Sequence, residues 1–175
     1  MSKHKVKKST ILVIVLAALT AVFLILSIVS AVYNVNATIK SIDAIGTVEY
    51  TEESKELIDD ANDRYEGLDT NLNLQSYVTN ADVLEDAKVR YVELVIIDLY
   101  LLTQDDEADE SDIVAAIEAA REAYDSYFDE DESDLIGNYS DLTDAESVYG
   151  SGTSSTTSGG SSTDDDEDEE EIELC

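Results

Sequence analysis

Hydrophobic positions along this chain follow two regimes. From Ile11 to Tyr33 they are continuous: ILVIVLAALTAVFLILSIVSAVY runs for 23 residues, interrupted only by Thr20, Ser27 and Ser30. A helix rising about 1.5 Å per residue carries this run across about 34 Å, enough for a hydrocarbon core of about 30 Å. The isolated hydroxyls cost little there, because each can bond back to a carbonyl of its own helix. Beyond Lys40 the apolar residues become periodic. Ile58, Ala61, Tyr65 and Leu68 are spaced by three, four and three, and so are Ile117, Ala120, Tyr124 and Tyr127, with Ile113 extending the second set backwards. That spacing lines one face of a helix. A third stripe, Leu84, Ala87, Tyr91, Leu94, Ile97 and Leu101, predicts a longer helix from about Val83 with those residues inward.

The periodic part also repeats itself. Ile58-x2-Ala61-x3-Tyr65 corresponds to Ile117-x2-Ala120-x3-Tyr124, displaced by 59. Asn80-x3-Leu84-x-Asp86-Ala87-x3-Tyr91 corresponds to Asn138-x3-Leu142-x-Asp144-Ala145-x3-Tyr149, displaced by 58. The change of one residue between the blocks is what a shortened loop leaves. Two copies of one helical unit are therefore expected, over 41–102 and, truncated, over 103–149. Each contains a first helix, a short second one near Leu72 to Val78 or Leu135 to Tyr139, and a third; that of the second copy is about two turns long. Asp82 and Ser140 stand at the same place before the third helices and suit the N-cap, with Glu85 completing a capping box. Gly67 suits a helix end. The segment Tyr91 to Leu102 is apolar on more than one face, so it is expected to be buried by both copies and to connect them up to the acidic loop Gln104 to Asp109. The next helix then starts at Glu110-Ser111-Asp112. Pro is absent from the chain, which suits long helices.

The stretch Ile42-Asp-Ala-Ile-Gly-Thr-Val-Glu-Tyr-Thr-Glu-Glu-Ser-Lys-Glu-Leu-Ile-Asp-Asp-Ala61, with Tyr65, Leu68, Val78-Thr79-Asn80 and Leu84, resembles the FIVAR-like helical repeats of Gram-positive bacterial surface proteins. Those repeats are related to the three-helix architecture of albumin-binding modules. The likeness covers 42–97 well and 112–149 in part. It departs at Asp69 to Tyr77, where the family carries a Thr-Asp-Glu-Gln-Lys type of turn, and this departure displaces the middle helix. The resemblance implies an exported, non-catalytic stalk or binding module, and brings no ligand with it.

Charge gives the apolar run a direction. Lys3, Lys5, Lys7 and Lys8 precede it, whereas all 41 acids follow Lys40, against only Lys55, Arg64, Lys88, Arg90 and Arg121. Lysines are retained on the cytoplasmic side, so the expected arrangement is a basic cytoplasmic tail over 1–10, a transmembrane helix over 11–33 and an extracellular body. Val35-Asn36-Ala37 before Thr38 offers small residues for signal cleavage, although the apolar run exceeds the length of a signal core. A cleaved signal and a retained anchor both export the body. With a formal charge of −36 after Lys40, that body repels phosphate backbones, which excludes nucleic acid as a partner. Self-repulsion of this size weakens the compact state at low salt. The composition fits a salt-rich habitat or an ordinary acidic surface protein kept soluble by its charge.

The chain after Tyr149 carries no periodicity. Gly150 to Thr163 holds no apolar residue, a flexible linker by composition, and Asp164 to Glu171 is a run of acids. The whole of 150–175 is expected to be disordered, either a solubilising brush or a weak collector of divalent cations. Cys175 is the only cysteine and has no internal partner; it is a free thiol or pairs between chains.

Catalytic chemistry finds little to stand on. His4, the only histidine, lies in the basic tail, and no zinc spacing exists. The body has no histidine or second cysteine to activate a serine, and no glycine-rich phosphate loop. Carboxylate pairs abound, as a glycosidase needs, but helical charge runs produce them anyway and Trp is absent. Asp129-x-Asp131-x-Ser133 opens like a calcium loop and then lacks its Gly and Glu. Asn36-Ala-Thr and Asn138-Tyr-Ser are glycosylation sequons, and Asn138 coincides with the repeat's Asn80. No catalytic, cofactor or metal residue is assigned. The sequence describes an all-α single-pass surface protein that binds, adheres or spaces, its partners being the membrane and an extracellular protein or wall component. An acidic element responsive to cations or salt, or an accessory subunit of another membrane protein, is the alternative.

Overall fold

A computed structural model describes residues 8–150, with side chains from Leu12 onward. Most of the basic tail, the linker, the acidic run and Cys175 lie outside the described residues. Within them the protein is entirely helical: α1 Lys8–Ile45, α2 Glu52–Glu66, α3 Ala81–Thr103, α4 Glu110–Asp125 and α5 Tyr139–Tyr149, with 3-10 turns at Leu74–Tyr77 and Glu130–Leu135.

α1 is one unbroken helix of 38 residues, about 57 Å long at the standard rise. It contains no Gly or Pro, and it ends where Gly46 takes φ +64, a conformation that only glycine adopts without cost. Its first part, from Leu12 to Val29, is exposed, meets the rest of the chain only near the Leu72–Tyr77 segment, and belongs to a helix long and apolar enough to cross a membrane. Its last turns do something different. Thr38, Ile42 and Ile45 are buried and Val35 and Ile39 partly so, packed against α2 and α3. The first helix of the bundle is therefore the continuation of the apolar rod, and it begins before residue 41. The segment expected as a short second helix, Leu72 to Val78, holds a single 3-10 turn. Its place in the bundle is taken by α1.

α2 starts behind a working cap, with Thr51 Oγ1 accepting from the Ser54 amide at 3.2 Å. Gly67 closes it, its amide donating to the Asp63 carbonyl at 2.9 Å. Ile58 and Ala61 are fully buried and Leu68 nearly so, as the stripe requires. α4 starts at Glu110 and buries Ile113, Ile117, Ala120 and Tyr124. α5 is 11 residues long, about three turns, one more than expected.

α3 packs against all four of the other helices, α1 and α2 as well as α4 and α5. This dual contact turns its buried face. Leu84, Ala87 and Tyr91 point inward as predicted, but beyond Tyr91 the buried residues are Val92, Val95, Ile96 and Leu99. Ile97 and Leu101, expected inside, are 39% and 61% exposed. The helix has apolar residues on more than one side, and the two pairs of helices that pack on it select among them.

The N-caps also differ from the expected ones. Asn80 caps α3 and Asn138 caps α5, so Asp82 and Ser140 fall inside the first turn. Neither asparagine caps through its side chain. Asn80 Nδ2 donates to the Ile39 carbonyl at 3.0 Å and to Asp43 at 2.8 Å, tying the start of α3 to α1. Asn138 Nδ2 donates to the Glu93 carbonyl at 3.0 Å, tying the start of α5 to α3 in the same manner.

Candidate functional site

Three places on the body combine exposure with unusual chemistry. The first is the junction between the two halves of the bundle. Tyr127, at the end of α4, donates from its hydroxyl to Asp59 Oδ1 of α2 at 2.6 Å. The other Asp59 oxygen receives Lys55 Nζ at 2.7 Å. Around them Tyr50, Tyr91 and Tyr127 meet edge to face, with centroids 6.2 and 6.5 Å apart. Burial, and after it the hydrogen bond to Asp59, pushes the Tyr127 phenol far above its ordinary range. Burial also raises Tyr91 and Tyr50. Tyr127 thus acts as a donor across the junction, and the three rings fill it.

The second place is the side of α4 and α5. Arg121 donates two parallel bonds to Glu146, at 2.8 and 2.6 Å, and one to the Tyr139 hydroxyl at 2.9 Å. The guanidinium also lies over the Tyr124 and Tyr139 rings. The Glu146 hydrogen bond, above the opposing desolvation, holds the guanidinium firmly charged. Three of the five guanidinium N–H groups are engaged by residues of the bundle, so this cluster joins α4 to α5, both at Glu146 and at the helix start, Tyr139.

The third place is the level at which the apolar rod enters the body. The chain leaving α2 turns at Asp69, whose Oδ1 accepts from the amides of Asn71 and Leu72 at 2.8 and 3.3 Å. It turns again at Asn73, φ 51, a left-handed conformation that Asn tolerates. Gln75 Nε2 anchors the segment to the Tyr65 carbonyl at 3.2 Å. Between this segment and α1 runs an apolar groove of about 480 Å³, lined by Leu24, Ile28 and Val32 on one side and Leu72, Leu74 and Tyr77 on the other.

The acids do not converge. Among the described residues no group of three His, Cys, Asp or Glu side chains is placed to hold a metal ion. Asp129, the first residue of the calcium-like stretch, serves as the cap of a 3-10 turn, its amide donating to Glu132 at 2.8 Å. Sequence reasoning singled out none of these three places. The tyrosines were visible only as core stripe residues, and nothing in the spacing said that Tyr127 reaches a carboxylate 68 residues away. Ile97, Tyr100 and Leu101 are three exposed large apolar residues close together on one face of α3; Tyr50, Val83, Leu135 and Val148 are exposed elsewhere on the body. Comparison with protein-family models, with curated proteins and with solved structures gives no match to this chain.

Proposed function

We propose that the protein is a membrane-anchored extracellular helical module that holds a binding or spacing surface at a fixed attitude to the cell. The observation that carries this reading is the continuity of α1. The same helix supplies the apolar rod and the buried residues Thr38, Ile42 and Ile45 of the bundle. A surface protein tethered by a flexible linker gains reach but loses orientation. A helix that runs without Gly or Pro from bilayer to core transmits orientation. The spacing repeat and the resemblance to FIVAR-like modules support the same reading, and the lysines before the rod support a cytoplasmic N-terminus.

The exposed face Ile97, Tyr100 and Leu101 is the natural contact surface of such a module, since large apolar groups clustered on one helix face favour association. Protease added to intact cells tests the arrangement: loss of the body from intact cells is expected. A body degraded only after lysis overturns it. Mass measurement of the membrane-extracted chain decides between anchor and cleaved signal; a chain beginning near Thr38 would refute the retained anchor. The cation-responsive alternative predicts that millimolar calcium raises helicity beyond matched ionic strength, and equality of the two conditions removes it.

A further inference from the structure

The turn between α2 and α3 lies beside the apolar rod, at a level where a solvent-facing loop would be out of place. Leu72 and Tyr77 are 59% and 64% exposed, and Tyr33 on α1 is 72% exposed nearby in the chain's axial order. Leu72 and Leu74 line a groove with Ser27 and Ala31 of α1. Counted from Ile11 at the standard rise, Ser27 lies about 24 Å along the rod and Ala31 about 30 Å. A hydrocarbon core about 30 Å thick that begins at Ile11 therefore ends where Leu72 sits.

We propose that Leu72, Leu74 and Tyr77 form an interfacial foot. It enters the outer leaflet beside α1, and the groove between foot and rod is occupied by a lipid acyl chain. This rests on the reading of α1 as a membrane span, and it adds that the body itself touches the bilayer. Four features carry it. The groove is continuous with the apolar surface of the rod, and its walls from Leu24 to Asn36 and from Leu72 to Tyr77 carry no charge; Asp69 stands only at the adjoining cavity, its carboxylate engaged by the Asn71 and Leu72 amides. The segment alternates in character, with Leu72, Leu74 and Tyr77 apolar or amphipathic and Asn71, Asn73, Gln75 and Ser76 polar between them. Its turn is satisfied internally: the Asn71 and Leu72 amides bond Asp69, the Leu74 amide bonds the Asp69 carbonyl at 3.1 Å, and the Ser76 hydroxyl bonds the Asn73 carbonyl at 2.7 Å. Backbone paired to this extent lowers the cost of standing at the interfacial edge, where water and headgroups still reach the remaining polar groups. Finally, Tyr33 and Tyr77 put two exposed phenols at the rod's exit, the depth at which aromatic belts form. A foot and a rod together leave the body no freedom to tilt.

The chain has no tryptophan, so single-tryptophan variants report depth directly. The full chain carrying Leu72→Trp, Tyr77→Trp, Phe23→Trp or Val148→Trp is reconstituted into phosphatidylcholine nanodiscs. Some of the lipids are brominated high on the acyl chain, and others near its methyl end. Tryptophan at 72 or 77 is expected to lose about half its emission to the shallow bromines and little to the deep ones, as an interfacial side chain must. Tryptophan at 23 is expected to respond to acyl-chain bromines, and tryptophan at 148 to neither. Quenching at 23 without quenching at 72 and 77 overturns the foot and leaves the span standing; the groove is then open to water or covered by protein. No quenching at 23 overturns the span and the foot together.

Discussion

Replacing Tyr127 by Phe removes one hydroxyl and leaves the ring packing in place, so its effect isolates the bond between the two halves of the bundle. The Tyr127 hydroxyl meets Asp59 Oδ1 at 2.6 Å, a short bond to a carboxylate. Hydrogen bonds to charged groups contribute about 1.5–3 kcal/mol net when buried. The Asp59 side chain, however, is 42% exposed and shares its charge with Lys55, so solvent screening puts this one near the lower end, about 1–1.5 kcal/mol. For a body of this size that is a fall in Tm of about 4–6 °C. The full chain in nanodiscs, melted while ellipticity is followed, supplies the measurement, with Asp59→Ala and the double variant completing a cycle. A coupling of about 1 kcal/mol between the two substitutions is expected. Strict additivity, or an unchanged Tm in Tyr127→Phe, refutes the claim that this bond joins the halves.

The same residue sets an alkaline signature. Tyr50, Tyr91, Tyr124 and Tyr127 are all raised above their ordinary value in the folded protein, first by burial. Above about pH 10 the unfolded chain releases phenolic protons that the folded chain still holds. The stability tied to those protons is therefore complete below about pH 10 and declines as pH rises beyond it. Tyr127→Phe should show a shallower decline than the parent protein between neutral and strongly alkaline buffer; parallel profiles would contradict the burial of that phenol.

The remaining predictions concern packing and backbone. Leu84→Ala, at a fully buried site of α3, should cost about 2–5 kcal/mol in urea unfolding of the reconstituted chain, whereas Leu101→Ala on the exposed face should cost under about 0.5 kcal/mol. Equal effects would mean that the buried face of α3 has been misassigned. Asn138→Ala should destabilise by about 1–2 kcal/mol by freeing the Glu93 carbonyl, and Asn80→Ala by a similar amount at Ile39. A cost confined to one of the two would break their equivalence. Gly46→Ala meets no neighbouring atom within 4 Å, so its loss of about 1 kcal/mol should come from positive φ alone. Gly46→Asn should recover part of it, and failure to do so would point away from backbone strain.

Linear pattern determined a good deal of this protein by itself. An uninterrupted apolar run of 23 residues has only a few uses, and the apolar part of α1 over 11–33 was legible from length and composition, though its continuation to Ile45 was not. The i, i+3, i+4 stripes of α2 and α4 were equally legible, because burial of one helix face is a local property of spacing. The boundaries at Gly67 and Glu110 followed from residues that act within a single turn.

Tertiary structure decided everything that depends on which surfaces meet. Nothing between Tyr33 and Ile45 breaks a helix, yet only the packing of Thr38, Ile42 and Ile45 on α2 and α3 makes the rod a member of the bundle. Asn80 and Asn138 looked like neighbours of caps. Their amides bond carbonyls 41 and 45 residues away, a distance along the chain that no periodicity encodes. The buried face of α3 turns at Val92 because two different pairs of helices claim it, and apolar residues on both faces gave either answer in the sequence. Spacing dictates which side of a helix avoids water. The arrival of the other helices dictates which of several dry sides is used.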